Sequence, residues 1–289
     1  MNKKKPISAK RKWAQRFLKI AGNLAPVTTV RLLSKYVFKP QKRQLKPAHI
    51  ECLRKATKFK FEAEAFRRPG KMVKLSCYQW GEGSKTILLV HGWDAKALDY
   101  YRMIPHLVEA GYKVIAFDGP GHGKSEGESS HMVDFKQVLY QMAKRMELPY
   151  AIIGHSMGGA AATFMLMDYD VRVPRLVTIA IPIVSMRYFQ KMFSVMKVPM
   201  KMQKAFYEGY IQEIGEPIER YNLLDRTETI KADKVLMVYD ENDRIVSEAD
   251  TKAFLQSHPE IERFNAVDTG HYNIIRSKLV VERILEFLK

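Results

Sequence analysis

Six short apolar runs, each followed by a stretch of helical periodicity, constrain this chain more than any other feature: Thr86 to Val90, Lys113 to Phe117, Tyr150 to Ile153, Leu176 to Ile181, Val235 to Tyr239 and Arg263 to Val267. Runs this poor in charge suit strands covered on both faces, because a strand with one wet face alternates apolar and polar residues. Strands separated by helices pair in parallel, since a parallel neighbour needs a crossover long enough to hold a helix. The expectation is an α/β domain: a mostly parallel central sheet with helices on both faces. Ahead of it, Phe59, Phe61, Ala63 and Ala65 alternate with polar residues. Arg67-Arg68-Pro69-Gly70 then supplies turn chemistry before Val73, Leu75 and Cys77, which reads as a β-hairpin. The interval from Ile183 to Lys231 is far longer than one crossover helix needs, so a helical insertion is expected over about residues 184–230.

Charge divides the chain differently. The formal net charge is +17, yet residues 1–75 hold 22 of the 48 Lys and Arg against only Glu51, Glu62 and Glu64, leaving 26 basic and 28 acidic residues for the rest. A basic N-terminal extension, placed at 1–56, therefore precedes a nearly neutral body at 57–289. Within it Trp13, Phe17, Ile20 and Leu24 fall in a sector of about 60° at roughly 100° per residue, with Arg11, Lys12, Arg16 and Lys19 outside the sector. Such a helix has two natural fates: it docks its stripe on the body, or it lies in a membrane interface, where each Lys or Arg adds about 1 kcal/mol near anionic lipid. Residues 1–40 are thus a candidate contact with an anionic membrane. No nucleic-acid motif accompanies the charge, and no specific nucleic-acid partner is expected. Arg31 and Lys35 interrupt the most lipophilic early stretch, which disfavours a spanning helix. Two cysteines, Cys52 and Cys77, build no disulfide framework, and no signal-type apolar region follows the opening lysines. A cytoplasmic location, peripheral at the membrane if the arm binds lipid, is the expectation.

The third run leads into Gly154-His155-Ser156-Met157-Gly158, a G-x-S-x-G pattern followed by Gly159-Ala160-Ala161-Ala162. Strand, sharp turn and small-residue helix start give this short pattern its weight: the turn lifts Ser156 above the strand end, and the helix N-terminus favours developing negative charge nearby. A serine hydroxyl is a weak nucleophile at neutral pH, so Ser156 needs a base oriented by a third group. Among eight histidines, His271 follows the last apolar run and precedes the terminal helix, whereas His91, His122 and His155 sit in glycine-rich turns and are read as structural. The run ending at Tyr239 leads into Asp240-Glu241-Asn242-Asp243, and by position either Asp240 or Asp243 can be the acid.

With these residues placed, residues 72–289 resemble the α/β-hydrolase superfamily, whose nucleophile, acid and histidine occur in that chain order. The resemblance implies the triad Ser156, Asp243 and His271; Asp243 is preferred over Asp240 because the apolar pair Ile245-Val246 follows it at the family's spacing. His91-Gly92-Trp93 is similar to the family's oxyanion turn, implying that the backbone N–H groups of Trp93 and Met157 form the oxyanion hole. Gly119-Pro120-Gly121-His122-Gly123-Lys124-Ser125 is one residue short of a phosphate-binding loop and precedes Glu126-Gly127-Glu128, a poor place for phosphate. It instead resembles the family's structural Asp-x-x-Gly-x-Gly-x-Ser loop, from Asp118 to Ser125. No metal-ligand spacing occurs, and neither metal nor cofactor is expected. The insertion carries Met186, Met192, Met196, Met200 and Met202 among Tyr188, Phe189, Phe193, Phe206, Tyr207 and Tyr210. These residues either cap the strand ends as a pliable wall for an apolar acyl or aromatic group, or the methionines merely fill the seam between cap and body.

The resulting expectation is a cofactor-independent serine hydrolase of the esterase or lipase type acting on a small-molecule ester. A peptidase or amidase, an acyltransferase using the same triad, and a non-catalytic scaffold with a membrane-binding arm are the alternatives.

Overall fold

The computed structural model describes residues 9–289; the leading lysines of the basic extension lie outside the described residues. One sheet of eight strands organises the larger part of the chain: β1 Thr57–Glu64, β2 Met72–Trp80, β3 Thr86–Val90, β4 Lys113–Phe117, β5 Ala151–His155, β6 Val173–Ile179, β7 Ala232–Tyr239 and β8 Glu262–Asn265. Their spatial order is β1-β2-β4-β3-β5-β6-β7-β8. The expected hairpin is present, with Phe59 opposite Cys77 and Phe61 opposite Leu75, and β2 runs antiparallel to β4. From β4 onward every pairing is parallel. The chain leaves β3 for β4 on one side and returns to β5 on the other, so the order reverses at β3; in open α/β sheets the carboxyl ends at such a reversal form a crevice. β3 and β4 coincide with the expected runs residue for residue. β6 ends at Ile179 rather than Ile181, because Ala180 takes φ +50° and leaves extended geometry.

The helices are α1 Ala9–Leu24, α2 Pro26–Val37, α3 Pro47–Arg54, α4 Met103–Glu109, α5 Met132–Arg145, α6 Met157–Asp168, α7 Ser185–Met196, α8 Met200–Ile214, α9 Glu248–Ser257, the single turn α10 Gly270–Asn273, and α11 Lys278–Leu288. Alternate strand residues supply each side of the sheet. Ile87 and Leu89, Ala151 and Ile153, and Leu236 and Val238 share a buried cluster with Met103, Ile104 and Leu107 of α4 and Val280, Val281 and Ile284 of α11. The intervening Leu88, Ile115 and Ile152 line a small cavity with Leu139 and Met142 of α5 and Met165 of α6. Coverage on both faces is what the unbroken apolar runs require.

Contacts divide the chain into two compact units, one of residues 39–183 and 223–289, the other joining the described residues up to Phe38 with Val184–Asn222. Packing therefore does not divide the chain at residue 56. Leu53 of α3 enters the core of the sheet unit, Trp80 Nε1 donates to the Cys52 carbonyl at 2.9 Å, and buried Lys96 donates to the carbonyls of Arg43 and Gln44. The apolar side chains of Leu45, Leu53 and Ala56 draw this stretch onto the body despite its basic character.

The smaller unit consists of α1, α2, α7 and α8 with the short turn Ile218–Tyr221. Its aromatic residues pack on one another: Phe206 lies 5.0 Å from Phe189, 5.2 Å from Phe193 and 6.0 Å from Phe38, centroid to centroid. Met202 is buried and sits where a Cβ on Gly22 would strike it. These rings and this methionine fill a seam within the unit. Among the described residues no helix is long and apolar enough to cross a membrane.

Helix α6 is anchored at its carboxyl end by a buried ionic cluster. Asp168 accepts from Lys136 Nζ of α5 at 2.7 Å and from Arg226 at 2.6 Å, all three side chains being less than a tenth exposed. Burial alone opposes the charged carboxylate, yet the two cations more than offset it and hold Asp168 below the usual carboxylate range. Removing the anion takes the buried carboxylate from Lys136 and leaves Arg226 to its second carboxylate partner, Glu228 at 2.6 Å. Asp168→Ala is expected to cost about 3–5 kcal/mol in urea unfolding; a loss within experimental error of zero contradicts this anchoring.

Candidate functional site

The site begins with backbone geometry. β5 runs directly into Ser156, which takes φ +51° and ψ −126°, and α6 starts at the next residue. A non-glycine residue is strained in that region. The Ser156 N–H donates to the Ile179 carbonyl of β6 at 2.8 Å, which fixes the turn to the neighbouring strand. The turn is tight enough that a Cβ on Gly158 would run into the His91 carbonyl and one on Gly154 into the backbone of Gly159. Positive φ at non-glycine residues marks the same edge elsewhere. Among the described residues it occurs at Asp94, Ser156, Ala180 and Asp268, just beyond the carboxyl ends of β3, β5, β6 and β8, and otherwise only at Lys197.

Ser156 and His271 come within hydrogen-bond reach, Oγ to Nε2 at 3.0 Å, and the Nδ1 of His271 lies 2.7 Å from Asp243 Oδ2. Asp243 has an acceptor-only carboxylate, so it takes the Nδ1–H and leaves Nε2 free to accept from the Ser156 hydroxyl. Asp243 Oδ1 accepts from the amides of Ile245 at 2.7 Å and Val246 at 3.1 Å. Burial disfavours its charge, but the hydrogen bond and charge of His271 together with these amides hold the Asp243 carboxyl below the usual range. The orientation of the imidazole thus rests on an anion that is itself fixed by backbone.

Asp240 takes a different position. Its Oδ2 accepts from the Gly270 amide at 2.6 Å, and its Oδ1 from the amides of Asn242 at 2.9 Å and Asp268 at 3.2 Å. It clamps the loop immediately before His271 and does not contact the imidazole. His155 secures the same residue from below, its Nε2–H donating to the His271 carbonyl at 2.8 Å. The sequence shows Asp240 as a rival acid and His155 as a turn residue; their roles in holding His271 emerge only when β5, β7 and β8 are brought into one sheet around β6.

The other glycine-rich turns close around this point. A Cβ on Gly92 would meet the Ser156 Cβ at 3.0 Å, so the turn after β3 lies against the elbow and carries Trp93 with it. Met157 is the first residue of α6, where an N–H has no intrahelical partner. His91 accepts from the Gly119 amide at 2.8 Å and donates to the Gly92 carbonyl. Asp118 accepts from the amides of Ala97 and Lys124 and from the Tyr78 hydroxyl. The Ser125 hydroxyl donates to the Asp118 carbonyl and accepts from the Ser76 amide. The loop from Asp118 to Ser125 is a structural turn held by its own hydrogen bonds, with the Asp118 carboxylate accepting the Lys124 amide within it. Among the described residues no cluster of His, Cys, Asp or Glu is placed to hold a metal ion.

The fold and the strand-turn-helix elbow define a class, and comparison with known proteins agrees. Residues 85–225, just under half of the chain, match the family model for the alpha/beta hydrolase fold, and the eight-stranded sheet with its helices has that fold. Over 115 residues it is 32% identical to a 2-hydroxy-6-oxononadienedioate/2-hydroxy-6-oxononatrienedioate hydrolase of Escherichia coli, a match covering 37% of this chain and 40% of that relative's length. Among solved structures, an esterase of Pyrococcus furiosus superposes with a TM-score of 0.61 at 23% identity, covering 87% of this chain and 96% of that one. Mouse alpha/beta hydrolase domain-containing protein 10 gives 0.59 at 18% identity, with 81% and 97% covered.

Burial also makes the stability of the fold pH-sensitive. It drives the pKa of His91 down to about 4 and those of His122, His131 and His155 down to about 3, with the charges of neighbouring groups adding to the effect at the last three. An unfolded histidine binds its proton near pH 6.5, and these four remain neutral in the fold, so the unfolded state takes up more protons as pH falls. Their contribution is fully present above pH 6.5 and is lost on descending toward pH 3 to 4, by up to about 1.4 kcal/mol per pH unit per histidine. Urea midpoints are expected to fall steadily from pH 7 to pH 5; a flat profile contradicts neutral burial.

Proposed function

We propose that the protein is a serine hydrolase that cleaves carboxylic esters through an acyl-enzyme on Ser156. The observation that carries this reading is the paired contact of His271, 3.0 Å to the Ser156 hydroxyl and 2.7 Å to the Asp243 carboxylate. In the proposed cycle Nε2 of His271 takes the hydroxyl proton as Oγ attacks the ester carbonyl carbon. The carbonyl π pair moves onto oxygen, and the resulting oxyanion is met by the N–H groups of Trp93 and Met157. Collapse expels the alcohol, which takes the proton from Nε2, and the acyl group remains on Oγ. Water then attacks the acyl carbon with Nε2 as base, and the acid leaves as Oγ recovers its proton. Asp243 remains ionised throughout and stabilises the imidazolium.

The superfamily supports hydrolysis in general, and the Pyrococcus furiosus relative is itself an esterase. The proposed substrate is a small-molecule ester with an apolar acyl group.

Ser156→Ala is expected to lower ester turnover by about 10³-fold or more, because the triad members act as a unit. Turnover of acyl esters of increasing chain length should rise before it levels. A Ser156→Ala variant with near-normal turnover sinks the proposal. Asp243→Asn should cause a loss of similar size with unchanged melting, since it reverses the tautomer of His271. Asp240→Asn should lower both turnover and thermal stability, because it loosens the loop; a large loss at Asp240 with none at Asp243 would reassign the acid.

A further inference from the structure

The basic amphipathic helix carries two ladders of the same spacing, and the structure separates them. Arg11, Gln15, Leu18 and Gly22 form one, Trp13, Phe17, Ile20 and Leu24 the other, displaced by two residues and hence by about 200° around the helix. The first is the packing face. Arg11 and Gln15 both donate to the Val195 carbonyl of α7 at 2.9 Å, Leu18 is buried, and Gly22 abuts Met202 of α8. The second, more lipophilic ladder points outward: Trp13 is 73% exposed, Phe17 58%, Ile20 63% and Leu24 81%. A helix held in place only to bury its apolar side would dock the aromatic ladder, not the one made of Arg, Gln, Leu and Gly.

The exposed surface continues into α2, whose outward residues Val27, Leu32 and Tyr36 are interleaved with Arg31 and Lys35. Along α1 the exposed cations Lys12, Arg16 and Lys19 lie on one flank of the aromatic ladder. No acidic residue occurs in the chain before Glu51, so neither helix carries a negative side chain and both offer an apolar ridge edged by positive charge. Trp and Phe at the apolar ridge with Lys and Arg beside it match the depth profile of a lipid interface, apolar below and anionic at the headgroups.

We propose that α1 and the outward face of α2 form a membrane-seating surface for anionic bilayers, with Trp13, Phe17, Ile20 and Leu24 entering the interface and Lys12, Arg16 and Lys19 at headgroup level. The packing ladder ties this surface to α7 and α8 of the same unit, so the lipid-facing ridge is part of a folded body and not a loose tail. This inference is independent of the chemistry at Ser156.

The test is flotation of the full-length protein with vesicles of phosphatidylcholine containing a quarter phosphatidylglycerol, and with vesicles of phosphatidylcholine alone. Binding should be about tenfold or more stronger to the anionic vesicles and weaken with added salt. The combined variant Trp13→Ser, Phe17→Ser and Ile20→Ser should lose about tenfold in vesicle affinity with its melting curve unchanged, and Lys12→Gln, Arg16→Gln and Lys19→Gln should lose the preference for anionic lipid. The proposal is overturned if the serine variant floats as well as the wild type, which leaves charge attraction alone. It is equally overturned if the wild type fails to float, or if sedimentation shows that the serine substitutions convert a dimer to a monomer while vesicle binding is absent, which makes a second copy the occupant.

Discussion

A single backbone conformation organises the site. Ser156 can take φ +51° only because β5 delivers it to a turn with glycines at 154 and 158 and because its N–H is tied to Ile179 of the adjacent strand. That conformation stands the hydroxyl above the strand end and starts α6 one residue later, so a helix N-terminus and the Ser156 hydroxyl share one corner. The strain has to be held by packing on all sides. Small residues after the elbow let α6 approach the sheet, and the Asp168 cluster anchors the far end of the same helix.

Reversal of strand order supplies the rest of the geometry. With β3 between β4 and β5, the turn after β3 is brought against the elbow, and Gly92 approaches Ser156 closely. Loops after β7 and β8 then furnish Asp243 and His271 from the other side. Their support is a chain of backbone contacts: Asp240 holds the amides of Asp268 and Gly270, His155 holds the carbonyl of His271, and two amides hold Asp243. Neutral buried histidines can play such parts because each offers one donor and one acceptor without a charge to solvate.

Much of this was legible in the chain. Both-face burial erases polar alternation, so β3 and β4 stand out to the residue, while the end of β6 falls two residues before the end of the apolar run, at a positive φ of Ala180 that nothing in the sequence advertises. Ser156 and His271 announced themselves through glycine context and position after a strand. The choice between Asp240 and Asp243 could not be made from position, since both follow β7 and differ only in which atoms they reach. The extension was the least legible part. Its aromatic ladder is the obvious packing face on hydrophobicity, yet the face that docks is defined by a glycine against Met202 and by two polar side chains on one carbonyl, contacts that exist only once α7 and α8 are in place. Similarly, the rings of residues 189–206 could line a ligand or a seam by composition, and their stacking with Phe38 puts several of them in the seam.

The account stands on a hydroxyl at position 156 made reactive by an oriented imidazole. Treating the native protein with a fluorophosphonate and mapping the adduct by peptide mass spectrometry tests this directly. A single stoichiometric adduct on the peptide bearing Ser156, absent when His271 is replaced by alanine, is the result predicted. An unmodified protein, or an adduct on a different serine with Ser156 untouched, would contradict it.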